Sequence, residues 1–274
     1  PVEERGKFAY PPSLVIVDGG AGQLGRAVKV MDDFDLDIPV AGLAKHDEPH
    51  VELAARMGAY FLAVSFVSSA EDMHRARELL QRAGSEAALV AKIERMEAIE
   101  NLEEICDAAE VIMVARGDLG VEIGDEELPG LQKRIIRTAI RHNRIVATAT
   151  QMMQSMIENP IPTRAEVLDV ANAVLDGTDA VMLSGETAVG EYPIEAIRSM
   201  ASVCIGAEKY PNQAGLMGQR ADDKFELVDE AIAMATMYTA NHLDVAAIAS
   251  LTESGTTVLW MSRISSGIPI YALT

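Results

Sequence analysis

Short apolar runs alternate along the chain with longer segments of helical periodicity. The apolar runs are near-continuous rather than alternating, which is typical of strands buried on both faces of a parallel sheet. They predict strands over 14–18, 38–43, 60–66, 88–94, 111–116, 145–150 and 179–184. The segments between them predict amphipathic helices over 22–34, 48–57, 70–83, 96–108, 127–142, 163–175 and 192–208.

This repeating strand–helix order predicts an α/β fold that resembles a TIM barrel, with parallel strands. Seven such units precede residue 209, whereas a closed (β/α)8 barrel needs eight, so the predicted barrel is incomplete. After a polar stretch over 210–224, a helix, a strand, a short helix and a last strand predict a C-terminal α/β segment. We expect this segment to be truncated, because a three-layer domain needs more strands.

Composition and charge narrow the range of partners. The formal net charge of -19 disfavours nucleic acid and anionic membrane surfaces, since binding them depends on Lys and Arg displacing counterions. The two cysteines lie far apart in the sequence and give neither a disulfide framework nor a metal-ligand spacing. We therefore expect a cytoplasmic protein that binds no nucleic acid and no membrane.

The stretch SLVIVDGGAGQLGRAVKV, residues 13–30, carries glycines at positions 20, 22 and 25 after a strand that ends in Asp18. Three interpretations are open: a dinucleotide-binding loop, a nucleophile or metal turn around Asp18, and a tight strand-to-helix connection. The next strand closes in Lys45 without the acidic residue that a dinucleotide fingerprint requires. This disfavours the first interpretation.

Polar side chains follow four successive predicted strands, where a parallel barrel gathers its chemistry. Period two places Lys92 and Glu94 on one face of their strand, as a structural ion pair or as a functional pair. Asp118 would join Glu94 as a second carboxylate for a hard cation such as Mg²⁺, and the N–H groups of Gly117 and Asp118 would face an anion. The alternative is an ordinary Gly-Asp turn. Thr150 brings a hydroxyl to the same end of the sheet.

Four motifs resemble the pyruvate kinase family in its bacterial form. They are KIE, MVARGDLGVEI, ATQMMQSMIENPIPTRAEVLDVANAVLDGTDAVMLSGETAVGEYP and SRISSGIPIYA. The resemblance runs from about residue 47 to residue 274 and implies a phosphotransferase of glycolysis. It divides the chain into a barrel portion over 46–209 and part of a C-terminal domain over 210–274.

The resemblance also implies roles for single residues. Lys92 would contact the transferring phosphoryl group and the enolate, and Glu94 and Asp118 would hold the divalent metal. The N–H groups of Gly117 and Asp118 would bind the carboxylate of phosphoenolpyruvate. Thr150 would lie beside the carbon that is protonated, and Ser65 would fall in the same pocket. Such a set suits phosphoryl transfer, which depends on positioning and on neutralising charge.

The implied cofactor is Mg²⁺ (or Mn²⁺), and the implied substrates are phosphoenolpyruvate and ADP. The family also uses K⁺, but we find neither its potassium ligands, nor its earlier barrel strands, nor its lid domain in this sequence. Family members are typically tetrameric, which leaves a homo-oligomer open for this chain.

A loop near the C-terminus resembles the phosphate-binding nest of the family's sugar-phosphate effector site. Thr256 stands where many relatives have Lys or Arg, and a plain strand-to-helix turn is the alternative. The loop consists of Thr252, Glu253, Ser254, Gly255, Thr256 and Thr257.

The first segment, residues 7–45, resembles instead the nuclease region of the excision-repair protein UvrC, through a strand ending in VDGG and the next ending in GLAK. Asp18 would match a metal-binding carboxylate of that nuclease, although its partner residues are missing. This resemblance implies a chimera in which residues 1–45 supply a structural βαβ unit. Three hypotheses follow: a pyruvate-kinase-like enzyme, a non-catalytic chimeric scaffold, and a metal-dependent nuclease at Asp18.

Overall fold

The computed structural model describes the backbone of residues 15–17, 40–44 and 48–50, and whole residues over 51–210, 225, 227–264 and 268–273. The predicted helix over 22–34, Asp18 with its glycines, and the stretch 211–224 lie outside the described residues. The chain forms two compact units, residues 1–208 and 209–274.

The first unit is built on seven parallel strands that lie side by side in the order in which the chain makes them. Strictly sequential order is the arrangement of a (β/α) barrel wall, whereas a doubly wound sheet reverses its order at a switch point. The predicted fold class is confirmed. The strands are β1 (Val15–Val17), β2 (Val40–Ala44), β3 (Phe61–Val64), β4 (Ala88–Ile93), β5 (Val111–Ala115), β6 (Ile145–Ala149) and β7 (Ala180–Met182).

Helices occupy the connections that follow β2, as the sequence predicts. They are α1 (Glu48–Arg56), α2 (Ala70–Arg82), α3 (Met96–Glu100), α4 (Leu102–Ala108), α5 (Arg116–Ile123), α6 (Leu128–Arg141), α7 (Arg164–Asp176), α8 (Gly185–Ala188) and α9 (Pro193–Glu208), with a 3-10 turn at Gln154–Ile157. Over the described residues β1 and β7 form the two edges of the sheet, and no pairing joins them.

Two helical details differ from the prediction. The single helix expected over 96–108 is divided at Asn101, whose side chain leaves the helix and donates to Ser68 O at 2.9 Å. Helix α5 is absent from the prediction because its sequence, RGDLGVEI, carries two glycines and no apolar stripe. Its first residue, Arg116, was expected to end a strand.

One face of the sheet carries a cluster of small and medium apolar side chains. Its members are Ala63, Val90, Val111, Met113, Ala147 and Ala149. Because side chains alternate along a strand, Lys92 and Glu94 continue the row of Val90 on this face, and Lys92 pairs in register with Met113. The apolar cluster therefore runs directly into the charged end of β4.

The second unit contains α10 (Val228–His242), β8 (Ile248–Leu251), α11 (Thr256–Arg263) and β9 (Ile270–Leu273). β8 and β9 pair in parallel, and Met237, Trp260 and Met261 are buried in the core beside them. The predicted element order of this segment is confirmed. In the part of the chain that the structure describes, no helix is both long and apolar enough to cross a membrane.

A capping box starts α7, and its glutamate also fixes the preceding turn. Glu166 accepts hydrogen bonds from Thr163 N at 2.8 Å and from Ser155 N at 2.7 Å and Oγ at 2.5 Å. Burial acts to raise the pKa of Glu166, but the bonds from Ser155 and Thr163 outweigh it and lower the pKa below 4.5. The ionised form is therefore favoured by folding.

This gives a pH-dependent contribution to stability. A lowered folded-state pKa means that Glu166 stabilises the fold fully above 4.5, and that the contribution is lost as the pH falls through the folded-state value. We expect Glu166→Gln to lower the free energy of unfolding at about pH 6 and to differ less from the wild type at about pH 3. Urea denaturation across this range measures it. Glu158→Gln, at an exposed position nearby, is the control, and an equal difference at both pH values would contradict the prediction.

Candidate active site

Four successive strands bring the predicted residues to one end of the sheet. Ser65 directly follows β3, Lys92 and Glu94 close β4, Gly117 and Asp118 begin α5 just after β5, and Thr150 follows β6. The carboxyl ends of parallel strands lie at the same edge. The structure thus places every predicted catalytic and metal-binding residue of the barrel portion in one region.

Lys92 and Glu94 form a buried ion pair at the end of β4. Lys92 Nζ lies 2.6 Å from Glu94 Oε1, and the two side chains are 5% and 1% exposed. Lys92 Nζ also donates to Ser65 Oγ at 3.2 Å. Two charges are costly to bury unless each is compensated, so this pair demands precise support from the loop after β3.

The backbone of that loop supports the carboxylate. Phe66 N donates to Glu94 Oε2 at 2.6 Å, and Phe66 holds a left-handed φ of 54°, which is uncommon for a residue with a bulky side chain. The Ser65–Phe66 turn therefore contacts both members of the ion pair. The hydroxyl of Ser65 accepts from Lys92, and the backbone amide of Phe66 donates to Glu94. The unfavourable backbone conformation of Phe66 is thus maintained by its hydrogen bond to Glu94.

Burial raises the pKa of Glu94 above its ordinary value of 4.5, and the negative charge of Asp118 adds to the rise. The Lys92 ammonium group and the Phe66 amide act against it. Oε1 is buried and lies 2.6 Å from Lys92 Nζ, so an ammonium group already faces this oxygen. Each carboxylate oxygen carries more than one lone pair, so the ionised group has capacity for a further cation beside Lys92.

The carboxylates of Glu94 and Asp118 fit Mg²⁺. This ion usually binds proteins through one or two carboxylates and takes its other ligands from water and substrate oxygens. Asp118 is exposed and close enough for its charge to act on Glu94. Among the described residues, no group of three or more His, Cys, Asp or Glu side chains is arranged to hold a metal ion.

Gly117 and Thr150 are in direct contact. Gly117 N donates to Thr150 Oγ1 at 2.8 Å, and this hydroxyl in turn donates to Ala149 O at 2.7 Å. Thr150 and Gln151 both have left-handed φ values, 66° and 52°. The amide expected to face an anion and the hydroxyl expected beside the reacting carbon are thus joined to each other.

Two buried charged residues at this edge were given no role by the sequence. Arg116 is 5% exposed and reaches the loop after β6, and Glu186 is 2% exposed and accepts from Met153 N at 3.0 Å and Ser184 N at 2.8 Å. The available signal was a charge within a few residues of the end of a strand in each motif. Sequence alone could not show that these charges point inward to neighbouring loops.

The loop expected to bind an effector phosphate lies in the second unit, between β8 and α11. Gly255 has a left-handed φ of 79° and donates to Thr252 Oγ1 at 2.9 Å, while the hydroxyls of Ser254 and Thr256 lie 2.7 Å apart. The hydroxyls of the loop bond within it. Its role as an effector site stays a prediction.

The sequential parallel sheet has the strand order of a (β/α) barrel wall, and its carboxyl edge carries a buried lysine, two carboxylates and an amide–hydroxyl contact. Residues 15–197 match the family model of the pyruvate kinase barrel domain, and residues 230–274 match that of the pyruvate kinase alpha/beta domain. The chain belongs to the pyruvate kinase family.

Individual relatives agree with this. The chain is 58% identical to a pyruvate kinase of Haemophilus influenzae over 85% of its own length and 49% of the relative's. It is 57% identical to pyruvate kinase II of Salmonella typhimurium over 96% of its own length and 60% of the relative's. A crystal structure of a pyruvate kinase from Cryptosporidium parvum superposes with a TM-score of 0.76 at 38% identity, covering 81% of this chain and 47% of that one. The chain thus spans about half the length of these relatives.

The comparisons do not support the resemblance of residues 7–45 to the UvrC region, nor a chimera. The barrel match already begins at residue 15, and β1 and β2 pair in parallel with the strands that follow as parts of one sheet. A strand, a glycine turn and a helix occur in many parallel βα units, so this short pattern is a weak family signal. The scaffold hypothesis and the nuclease hypothesis at Asp18 are likewise not supported.

The ion pair at the end of β4 makes a prediction about stability. Removing one partner leaves a buried charge alone, so Lys92→Met and Glu94→Gln should each cost about 3 kcal/mol of unfolding free energy. The double variant should cost clearly less than the sum of the two. Urea denaturation of all four proteins measures the coupling.

The exposed pair of Arg95 and Glu97 provides the control. Its side chains are 40% and 48% exposed, so the same cycle there should give a coupling below about 1 kcal/mol. Equal couplings for the two pairs would show that burial does not set the strength of the Lys92–Glu94 interaction.

Proposed function

We propose that the chain carries the phosphoenolpyruvate and Mg²⁺ site of a pyruvate-kinase-type phosphotransferase, which transfers a phosphoryl group to ADP and yields pyruvate and ATP. The observation that supports this most is the buried Lys92–Glu94 pair, whose carboxylate also feels the charge of the exposed Asp118. The proposal assigns residues 210–274 to part of the C-terminal domain, and to the barrel portion both the predicted 46–209 and the preceding strands β1 and β2.

In this proposal Lys92 supplies the positive charge at the reacting centre. Its ammonium group is held by Ser65 Oγ and by Glu94, so it needs no reorganisation when negative charge develops on the phosphoryl oxygens and on the enolate. Pre-positioned charge in a buried site is worth more than the same charge in water. Lys92 would therefore act on the transition state as well as on binding.

Glu94 and Asp118 would hold Mg²⁺. When bound, the ion would neutralise phosphoryl and carboxylate oxygens and orient them. The raised pKa of Glu94 means that the site loses metal affinity as the pH falls towards that value, since a protonated carboxyl group is a poor ligand.

Gly117, Asp118 and Thr150 would bind and orient the organic part of the substrate. The N–H groups of Gly117 and Asp118 would donate to its carboxylate at the start of α5. The Thr150 hydroxyl already accepts from Gly117 N, so a carboxylate must share or replace that bond. Thr150 would then lie beside the carbon that takes the proton.

Titration calorimetry with phosphoenolpyruvate, with and without Mg²⁺, tests the proposal, together with a coupled assay for pyruvate. We expect binding that depends on Mg²⁺. Lys92→Met and Asp118→Asn should each weaken it by about tenfold to hundredfold, the loss of one charge-assisted contact. Asp118 is exposed, so its variant should keep the fold of the wild type.

Asp125→Asn is the matched control, because Asp125 is an exposed carboxylate just beyond the end of α5. It should bind as the wild type does. A folded wild-type chain that gives no Mg²⁺-dependent heat, or Lys92→Met and Asp118→Asn variants that bind as well as Asp125→Asn, would reject the proposal.

A further inference from the structure

Two consecutive residues of the loop after β6 hold a backbone conformation that neither favours. Thr150 and Gln151 have φ values of 66° and 52°, and neither is glycine or asparagine. Such residues persist only where the surrounding structure holds them. The loop therefore needs an external support, and its first residue is the one whose hydroxyl contacts Gly117.

Arg116 is that support. Its Nη2 donates to Thr150 O at 2.8 Å and to Gln151 O at 3.0 Å, and its Nε reaches Thr150 O at 3.3 Å. The same Nη2 lies 2.8 Å from Met152 Sδ. One guanidinium group thus contacts three successive residues of the strained turn while being 5% exposed itself.

The other end of the guanidinium group is tied to α7. Arg116 Nη1 lies 2.6 Å from Asp169 Oδ2, a carboxylate that is 41% exposed. This contact compensates the buried charge and sets the plane of the guanidinium group. A planar fork can serve two carbonyls and a carboxylate together, whereas a lysine ammonium group on its flexible stem cannot reproduce that geometry.

Arg116 and its neighbour Gly117 both form hydrogen bonds to Thr150. The side chain of Arg116 fixes the carbonyl of Thr150, and the amide of Gly117 fixes its hydroxyl at 2.8 Å. The relative position of the loops after β5 and β6 is therefore set by two adjacent residues. In the function proposed above, these loops supply the carboxylate-binding amide and the hydroxyl next to the reacting carbon.

We propose that Arg116 is a positioning residue, which holds the left-handed Thr150–Gln151 turn so that the Thr150 hydroxyl meets the Gly117 amide at the substrate carboxylate. The effect of Arg116 on substrate binding rests on the proposed function. Its support of the Thr150–Gln151 turn is independent of that function and can be measured without any ligand.

The first experiment is amide hydrogen exchange of the full chain without ligand, for Arg116→Met, Arg116→Lys and the wild type. We expect the Gly117 amide to exchange at least about tenfold faster in both variants, because its acceptor moves when the turn is released. Asp169→Asn should show a smaller increase in exchange rate, since Arg116 keeps its hydrogen bonds to the carbonyls of Thr150 and Gln151. This variant still tests the proposal if Arg116→Met does not fold.

Arg77→Met is the matched control. Arg77 also pairs with a carboxylate, that of Glu110, and donates to a carbonyl, that of Ala87 at 3.1 Å, but at the opposite end of the strands. It should leave the exchange of Gly117 unchanged. Unchanged exchange in the folded Arg116 variants, or an equal increase in Arg77→Met, would overturn the proposal.

The second experiment measures phosphoenolpyruvate binding with Mg²⁺ and, where turnover is seen, KM and kcat separately. Arg116→Lys should raise the dissociation constant or KM by about tenfold or more, so that retention of charge alone gives no rescue. Wild-type binding by Arg116→Lys would overturn the role of the planar fork. If the wild type itself binds no phosphoenolpyruvate, the proposed function fails, and the exchange experiment still decides whether Arg116 holds the turn.

Discussion

The buried contact between Lys92 and Glu94 constrains the carboxyl edge of the sheet more than any other interaction described. Two charges are withdrawn from water at the end of β4, where the apolar row of Val90 gives way to polar loops. Their desolvation has to be offset by oriented neighbours. The hydroxyl of Ser65 and the amide of Phe66 provide this, and the chain after β3 accepts an unfavourable φ of 54° to do so. The shape of that loop follows from the electrostatics of the next strand.

Backbone strain is concentrated beside these charges. Four non-glycine residues in the described part of the chain have positive φ: Phe66, Asn143, Thr150 and Gln151. Asn143 lies in the turn before β6, and asparagine tolerates this conformation well. The other three have side chains that do not, and all follow strands at the carboxyl edge, where hydrogen bonds to Glu94 and from Arg116 hold them. Strain of this kind is typical of sites whose groups must be held in one geometry.

The sequence allowed the strand order, most helices and the Lys92–Glu94 face to be predicted, because these depend on local periodicity. It could not show where a helix is interrupted by a side chain bonding elsewhere, as at Asn101, or that α5 forms without an apolar stripe. Nor could it show the contacts of Arg116, which join residues more than thirty positions apart. The resemblance of residues 7–45 to a nuclease misled because a strand, a glycine turn and a helix recur in many unrelated α/β folds.

The amino ends of the strands, at the other end of the sheet from the site, show how neighbouring strands are kept in register. Glu110, just before β5, accepts from Leu89 N of β4 at 2.6 Å, and Asp179, just before β7, accepts from Val146 N of β6 at 2.9 Å. Each acid fixes the start of its own strand against the strand before it, and Arg77 compensates the charge of Glu110. Because a strand is a stiff element of fixed rise, alignment at its start determines where its carboxyl end emerges. The carboxylate–amide contacts at the amino ends thus set the offset between β4 and β5, which end near Lys92 and Gly117, and the offset between β6 and β7.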